Sequence, residues 1–314
     1  MIDLAAIGLA ANASAEAWSQ EGGRLVGGWQ WHKPEGLDRS SLSAARLQAH
    51  SAVQWLARAA RAYVPPAPDD RHTNLGWDDA IGGLTTHTLP RGAVLGLIIS
   101  DLRLALWDGP AGAMASAQTI SLEGCRDAEI REWLGRQLGA RGFDPGALDA
   151  PLPYQLPAHP VGHGAPYGPA RLTAALAALT AWYANANRAL GETRERMLAG
   201  HIDAPPVRCW PHHFDLDSLV SLGSGAAAHT VGFGFSPGDE YYDQPYFYIS
   251  RYPPPDVAAL PSLPRFGHWH SHHFTAAVAL ADRILAADDQ QAATLAFLRA
   301  ATDILIPRAL SALP

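Results

Sequence analysis

Cysteine is nearly missing from this chain: Cys125 and Cys209 are the only two in 314 residues. Two thiols cannot make a disulfide framework, so a reducing cytoplasm is the expected compartment. Clusters of Lys and Arg are lacking too, and the net charge is -7, with 30 acidic residues against 23 basic ones. Nucleic acid and anionic membrane surfaces both reward clustered cations, so neither is expected as a partner. No run of about 18 apolar residues occurs. Residues 1–11 are apolar but few, have no basic leader and carry Asp3, so neither a membrane span nor a signal peptide is expected. P-loop, C-x-x-C and H-E-x-x-H patterns are absent as well. Against these absences stands 48% hydrophobic content, enough to bury a large core in one domain or two lobes.

The periodicity changes along the chain in a repeating order. Residues 1–40 are Gly-rich and weakly periodic, and Trp18, Trp29 and Trp31 suit an arm packed on the main body. Ala45, Ala49, Ala52, Leu56, Ala60 and Tyr63 predict a helix from Ser41 as N-cap to Tyr63, stopped by Pro65 and Pro66. Strand-like runs follow at 77–86, 93–99, 102–107 and 119–122, then a helix over 126–138 ended by Gly139 and Gly142. Five prolines between Pro151 and Pro166 mark residues 151–168 as a linker. Beyond it a long helix is predicted over 169–199, strands over 209–222, 229–235 and 246–252, and two closing helices over 274–285 and 290–306. The expected fold is α+β: antiparallel meanders packed by helices, in two related helix-meander-helix lobes. The first lobe covers 41–150, opening its meander on Trp77; the second covers 169–314, opening on Trp210.

Four short motifs carry a resemblance. They are Gly83-Leu84-Thr85-Thr86, Trp210-Pro211-His212-His213-Phe214-Asp215-Leu216, the turn Gly234-Phe235-Ser236-Pro237-Gly238, and Pro245-Tyr246-Phe247-Tyr248 leading to Tyr252-Pro253. Together they resemble an uncharacterised bacterial family classed as a domain of unknown function, over roughly residues 40–308 in order of elements. The resemblance supports a fold and brings no activity with it.

Chemistry concentrates in two patches. Six of the fourteen histidines fall in 209–215, C-W-P-H-H-F-D, and 267–273, G-H-W-H-S-H-H. On an extended strand His213 and Asp215 share a face while His212 takes the other, and His268 and His270 likewise share a face. Two imidazoles and a carboxylate on one side of a divalent ion suit catalytic zinc or non-haem iron. His213, Asp215 and His270 are the expected metal ligands, with Glu240 or His268 completing the site; His212 and His268 are the candidates for acid-base work. The plainer alternative is that these histidines cap turns beside the tryptophans.

Other motifs fail on context. A jelly-roll oxygenase would place several strands between H-x-D and its last histidine, and here only about two intervene. The G-x-S-x-G match at 234–238 puts Pro237, which has no N–H, where an oxyanion donor is needed, so it reads as a turn. Gly223-Ser224-Gly225 with Ala228 precedes a strand pattern rather than a helix, so no nucleotide cofactor is expected. Tyr241, Tyr242, Tyr246, Phe247, Tyr248 and Tyr252 either line a ligand pocket or pack the core. The functional expectation is a metal-dependent enzyme acting on a small molecule; its rivals are a non-enzymatic ligand-binding or interaction protein with structural histidines, and a metal-free hydrolase.

Overall fold

The computed structural model describes residues 29–34, 38–110, 114–223 and 228–306. Helix α1 (Arg39–Tyr63) starts three residues before the predicted cap: the Asp38 carboxylate accepts from Ser41 N at 3.0 Å. The predicted stripe of Ala45, Ala49, Ala52, Leu56 and Ala60 is buried. Residues 77–86, predicted as one strand, instead form a hairpin of β1 (Gly76–Asp78) and β2 (Gly83–Thr85), with Trp77 opposite Leu84. Gly83 is required where it stands, since a Cβ there would lie 2.1 Å from the Leu97 carbonyl oxygen. β3 (Ala93–Ile98), β4 (Arg103–Asp108) and β5 (Gln118–Ser121) complete a five-stranded antiparallel meander, followed by α2 (Asp127–Ala140).

The second half repeats this order. Helix α3 (Thr173–Ala199) leads into β6 (Arg208–Trp210), β7 (Asp215–Leu222), β8 (His229–Ser236) and β9 (Tyr246–Tyr252). Then come β10 (His268–His270), β11 (Ala276–Leu280), α4 (Ala281–Leu285) and α5 (Gln290–Leu305), the last capped by Asp289. The six strands lie in the order β10-β11-β9-β8-β7-β6. The fold is α+β with antiparallel meanders, as expected, with two further corrections in this half. Residues 274–285 are a strand and one short helix rather than a single helix. Ala276, Ala277, Val278 and Ala279 are all buried, so the run has no alternation to betray a strand. Residues 209–222 are not one strand either: they fold as a hairpin whose turn is Pro211–Phe214, closed by Phe214 N donating to Trp210 O at 2.7 Å.

Hydrophobic alternation fixes which side of the second sheet faces inward. Leu216, Val220, Phe233, Phe235, Phe247 and Ile249 join the main core, where Trp182 of α3 stacks 6.1 Å from Phe235 and Phe297 of α5 is fully buried. The opposite side carries the polar groups, with a small apolar cluster of Tyr246, Ala276 and Val278 among them. Across it Asp217, Gly234, Tyr248, Val278 and His268 stand in one row. One core cluster draws residues from both halves. Among the described residues the two sheets meet at one bridge, where Leu75 and Cys209 exchange both backbone hydrogen bonds at 2.9 and 2.8 Å.

The Pro-rich stretch 151–168 runs over α1, with Tyr154 OH donating to Gln54 and Gly168 N to Gln48. Of the predicted arm, Trp31 packs edge-on against Trp182 at 6.2 Å and donates to Gln290, and Trp29 lies 5.9 Å from Trp31. Trp18 lies outside the described residues, as do Ser224 and Gly225; the strands flanking the latter pair antiparallel through Leu222 and His229. Among the described residues no helix is long and apolar enough to cross a membrane.

Candidate functional site

The sheet order separates the two histidine patches. His213 and Asp215 belong to the β6–β7 hairpin at one edge, while His268 and His270 form β10 at the other. Strands are spaced about 4.8 Å apart, so five steps across six strands put these edges roughly 24 Å from each other. A metal ion with ligands at about 2.0–2.2 Å cannot join His213, Asp215 and His270. The predicted donor set is therefore corrected, and so is its premise: His212 and His213 sit in a turn, with Phe214 at φ +60°, and strand alternation does not apply to them. Glu240 is exposed in the loop after β8, in contact with Tyr241. Among the described residues, no three His, Cys, Asp or Glu side chains are placed to hold one ion.

The hairpin turn is held from beneath by α1. The Pro211 carbonyl accepts from His50 Nε2 at 2.9 Å and from Gln54 Nε2 at 2.8 Å, which fixes the His50 proton on Nε2. His50 stacks on Phe214 at 5.3 Å, and Tyr183 OH donates to the Phe214 carbonyl at 2.5 Å. Burial pushes the His50 imidazole down to about 4, only partly countered by its Pro211 hydrogen bond. His212 packs between Trp210, Tyr154 and His213 at 6.1, 5.7 and 4.2 Å, and burial followed by the neighbouring His213 also takes it down to about 4. Both rings are neutral at pH 7. His213 is exposed.

Beyond the turn, β7 presents Asp215 and Asp217 on the polar side of the sheet. Alternation places them about 6.6 Å apart along the strand. Tyr248 of β9 reaches across Gly234 of β8 and donates its hydroxyl to Asp215 Oδ2 at 2.7 Å. Asp215 Oδ1 and Asp217 Oδ1 are both buried with no hydrogen-bond partner. Burial, and then the Asp215 charge beside it, holds the Asp217 carboxyl well above its usual range, so Asp217 is the more readily protonated of its kind.

A ladder of tyrosines continues from this pair to the far edge. Ring centroids run from Tyr248 to Tyr246 at 6.0 Å, from Tyr246 to Tyr242 at 5.1 Å and from Tyr242 to His270 at 5.5 Å. Tyr246 OH donates to Asp239 at 2.5 Å; Asp239 in turn accepts from Tyr241 N and Tyr242 N, and Arg46 braces the turn by donating to the Gly238 carbonyl. At the end of the ladder Tyr242 OH lies 3.0 Å from His268 Nε2 and 2.8 Å from His270 Nδ1, while His270 Nε2 contacts the His272 carbonyl at 2.6 Å. A carbonyl only accepts, so Nε2 of His270 carries the proton. In the neutral ring Nδ1 then accepts from Tyr242 OH, and the phenol oxygen accepts from His268 Nε2–H. The two patches are thus connected by hydrogen bonds and rings rather than by a shared ion.

Of the predicted site residues, Asp215 opens β7, one strand in from the near edge, His212 and His213 lie at the near rim beside it, and His268 and His270 lie at the far rim. Asp217, His50 and Arg208 are not singled out from the sequence, and Tyr248 is named there only as one of an aromatic tract. The signal for Asp217 is the alternation Asp215-Leu216-Asp217 in a strand, and for Tyr248 the aromatic tract. The turn at 236–238 is a turn: Ser236 Oγ accepts from Gly238 N at 3.2 Å and a loop follows. Comparison with family models, curated proteins and solved structures returns no match for this chain.

Proposed function

We propose that this chain binds a small molecule bearing hydroxyl or amine groups on the polar side of its second sheet and moves a proton on it. The observation that carries this reading is the pair of orphaned oxygens, Asp215 Oδ1 and Asp217 Oδ1. A buried acceptor without a partner costs about 1–3 kcal/mol, and a ligand hydroxyl or amine supplies the missing donor. Two carboxyls whose environments differ are also the ordinary basis for dividing acid and base roles. Asp217, raised by burial, is the proton donor; Asp215, positioned by Tyr248, is the acceptor. The tyrosine rings provide flat apolar walls with polar tips, which suits a compact polar ligand.

The test is a thermal-shift screen at pH 7 with polyols, sugars and amino alcohols on wild type, Asp215→Asn and Asp217→Asn. Compounds are expected to stabilise wild type and to lose that effect in Asp215→Asn. The absence of any stabilising compound, or equal shifts in all three proteins, would overturn the reading.

Asp217→Asn carries a second expectation through linkage. A carboxyl whose folded pKa is raised contributes stability that is full below the unfolded value of 3.8 and is lost as pH rises through the folded value. Replacing it with Asn removes that loss. The variant is expected to be more stable than wild type at pH 8 by about 1–3 kcal/mol and equal to it near pH 3.5, as read from urea unfolding at the two pH values.

A further inference from the structure

Arg208 is a half-buried arginine without a carboxylate partner among the described residues. It lies in β6 directly opposite Asp217 of β7, the register at which a cross-strand ion pair is expected. The two side chains turn away from each other instead. The guanidinium lies over Gly76 of β1, where a Cβ would be 2.6 Å from its Nη1, and Asp217 Oδ1 lies toward Gly232 of β8. Among the described residues Arg208 makes no salt bridge, its nearest charged influence being Arg194, which is repulsive; burial lowers its proton affinity. His87 lies within its electrostatic reach, with Nε2 engaged by Arg71 O and Asn74 Oδ1 at 3.0 and 2.9 Å, and Thr85 Oγ1 faces the same Gly76 position. A guanidinium held at the seam between the two sheets, partly shielded from water and without a carboxylate beside it, is open to an anion.

We propose that Arg208 receives an anionic group, a carboxylate or a phosphate, from the ligand whose hydroxyl or amine end meets Asp215 and Asp217. This inference rests on the reading of the polar side as a ligand site and narrows its occupant to a hydroxy acid, an amino acid or a phosphorylated polyol. A planar guanidinium suits both anions, because its fork of N–H donors matches two oxygens at once. Thr85 Oγ1, which donates to the Gly76 carbonyl at 3.4 Å, closes the β1 side of the same position. The strand-to-strand distance between the guanidinium over β1 and Asp217 on β7 is about two spacings, roughly 10 Å, which a ligand of three to five carbons with an anionic end spans.

Inorganic phosphate and acetate serve as probes of the anion position, each compared with sodium chloride at equal ionic strength on the full chain. Phosphate is expected to raise the Tm of wild type beyond the chloride control, with binding about tenfold weaker in Arg208→Gln and partly kept in Arg208→Lys. The Arg208 Nε–H resonance of wild type is expected to shift saturably with phosphate, which needs no variant to fold. An unmoved Arg208 resonance, or equal stabilisation by chloride, would overturn the anion position. Neutral polyols read the Asp215 end alone, so loss of the phosphate response with a retained polyol response rejects the anion position only. The converse result rejects the acid-base reading only.

Discussion

In the Asp217→Asn background, lowering the pH from 7.5 to 4.5 is expected to remove about 3–5 kcal/mol of folding free energy through His50 and His212. Both rings are depressed in the folded protein to about 4 from 6.5, chiefly by burial. Above pH 6.5 neither ring is protonated in either state, and they contribute nothing to pH dependence. Between 6.5 and 4 the unfolded chain takes up two protons that the folded chain refuses, so stability falls with pH; below about 4 the loss levels off. One pKa unit is worth about 1.4 kcal/mol, giving about 2.5 kcal/mol for each ring at pH 4.5. The contribution of His212 is the smaller, because it keeps some solvent contact and both rings sense His213. The Asn background matters because Asp217 works with the opposite sign over an overlapping window and would offset part of the loss. Urea unfolding across this range checks it, and His50→Gln, which keeps a donor for the Pro211 carbonyl, should roughly halve the slope. A flat profile between pH 6.5 and 4.5 would show that these rings protonate in place.

Gly234→Ala is expected to destabilise the protein by about 3–5 kcal/mol and to abolish stabilisation by ligands. The added Cβ would sit 2.4 Å from Tyr248 Cζ, 2.5 Å from its hydroxyl and 2.7 Å from the Leu216 carbonyl oxygen. The phenol ring has to leave its place over β8, and its hydrogen bond to Asp215 goes with it. Overpacking costs about 1–3 kcal/mol and an uncompensated buried acceptor a similar amount. A double-mutant cycle with Tyr248→Ala separates the terms: in that background Gly234→Ala should cost less than half as much, the remainder belonging to the Leu216 carbonyl. Equal costs in the two backgrounds would mean that Tyr248 does not occupy the glycine's space.

The long helices, and the first meander beyond its opening hairpin, are legible because their patterns are local. Ala45 to Ala60 in α1 and Leu176, Leu179, Tyr183 and Leu190 in α3 repeat at helical spacing and are buried as that spacing requires. The second sheet was less legible for three physical reasons. β11 is buried on both faces and alanine-rich, so neither alternation nor propensity marks it. Pro211 interrupts what looks like one strand, and the positive φ of Phe214 is a conformation that Phe seldom adopts, so the hairpin leaves little trace in residue type. The insertion of β11 between β9 and β10 is a long-range choice, and it carries His268 and His270 away from His213. Asp215 shares a face with Asp217 because the strand alternates through Leu216. Its partner was a tyrosine two strands away rather than an imidazole.

The bridge between Leu75 and Cys209 also sets an order of events. It joins residues separated by roughly 130 positions of intervening chain, and closing so long a loop costs about 4 kcal/mol of chain entropy against two backbone hydrogen bonds. Each meander, by contrast, pairs neighbouring strands over short turns and assembles without waiting for the other. During synthesis the first sheet has all its strands before β6 leaves the ribosome. The seam therefore closes only once the second half has been made, and Arg208, lying across it over Gly76, is placed where a bound anion would tie the two halves together.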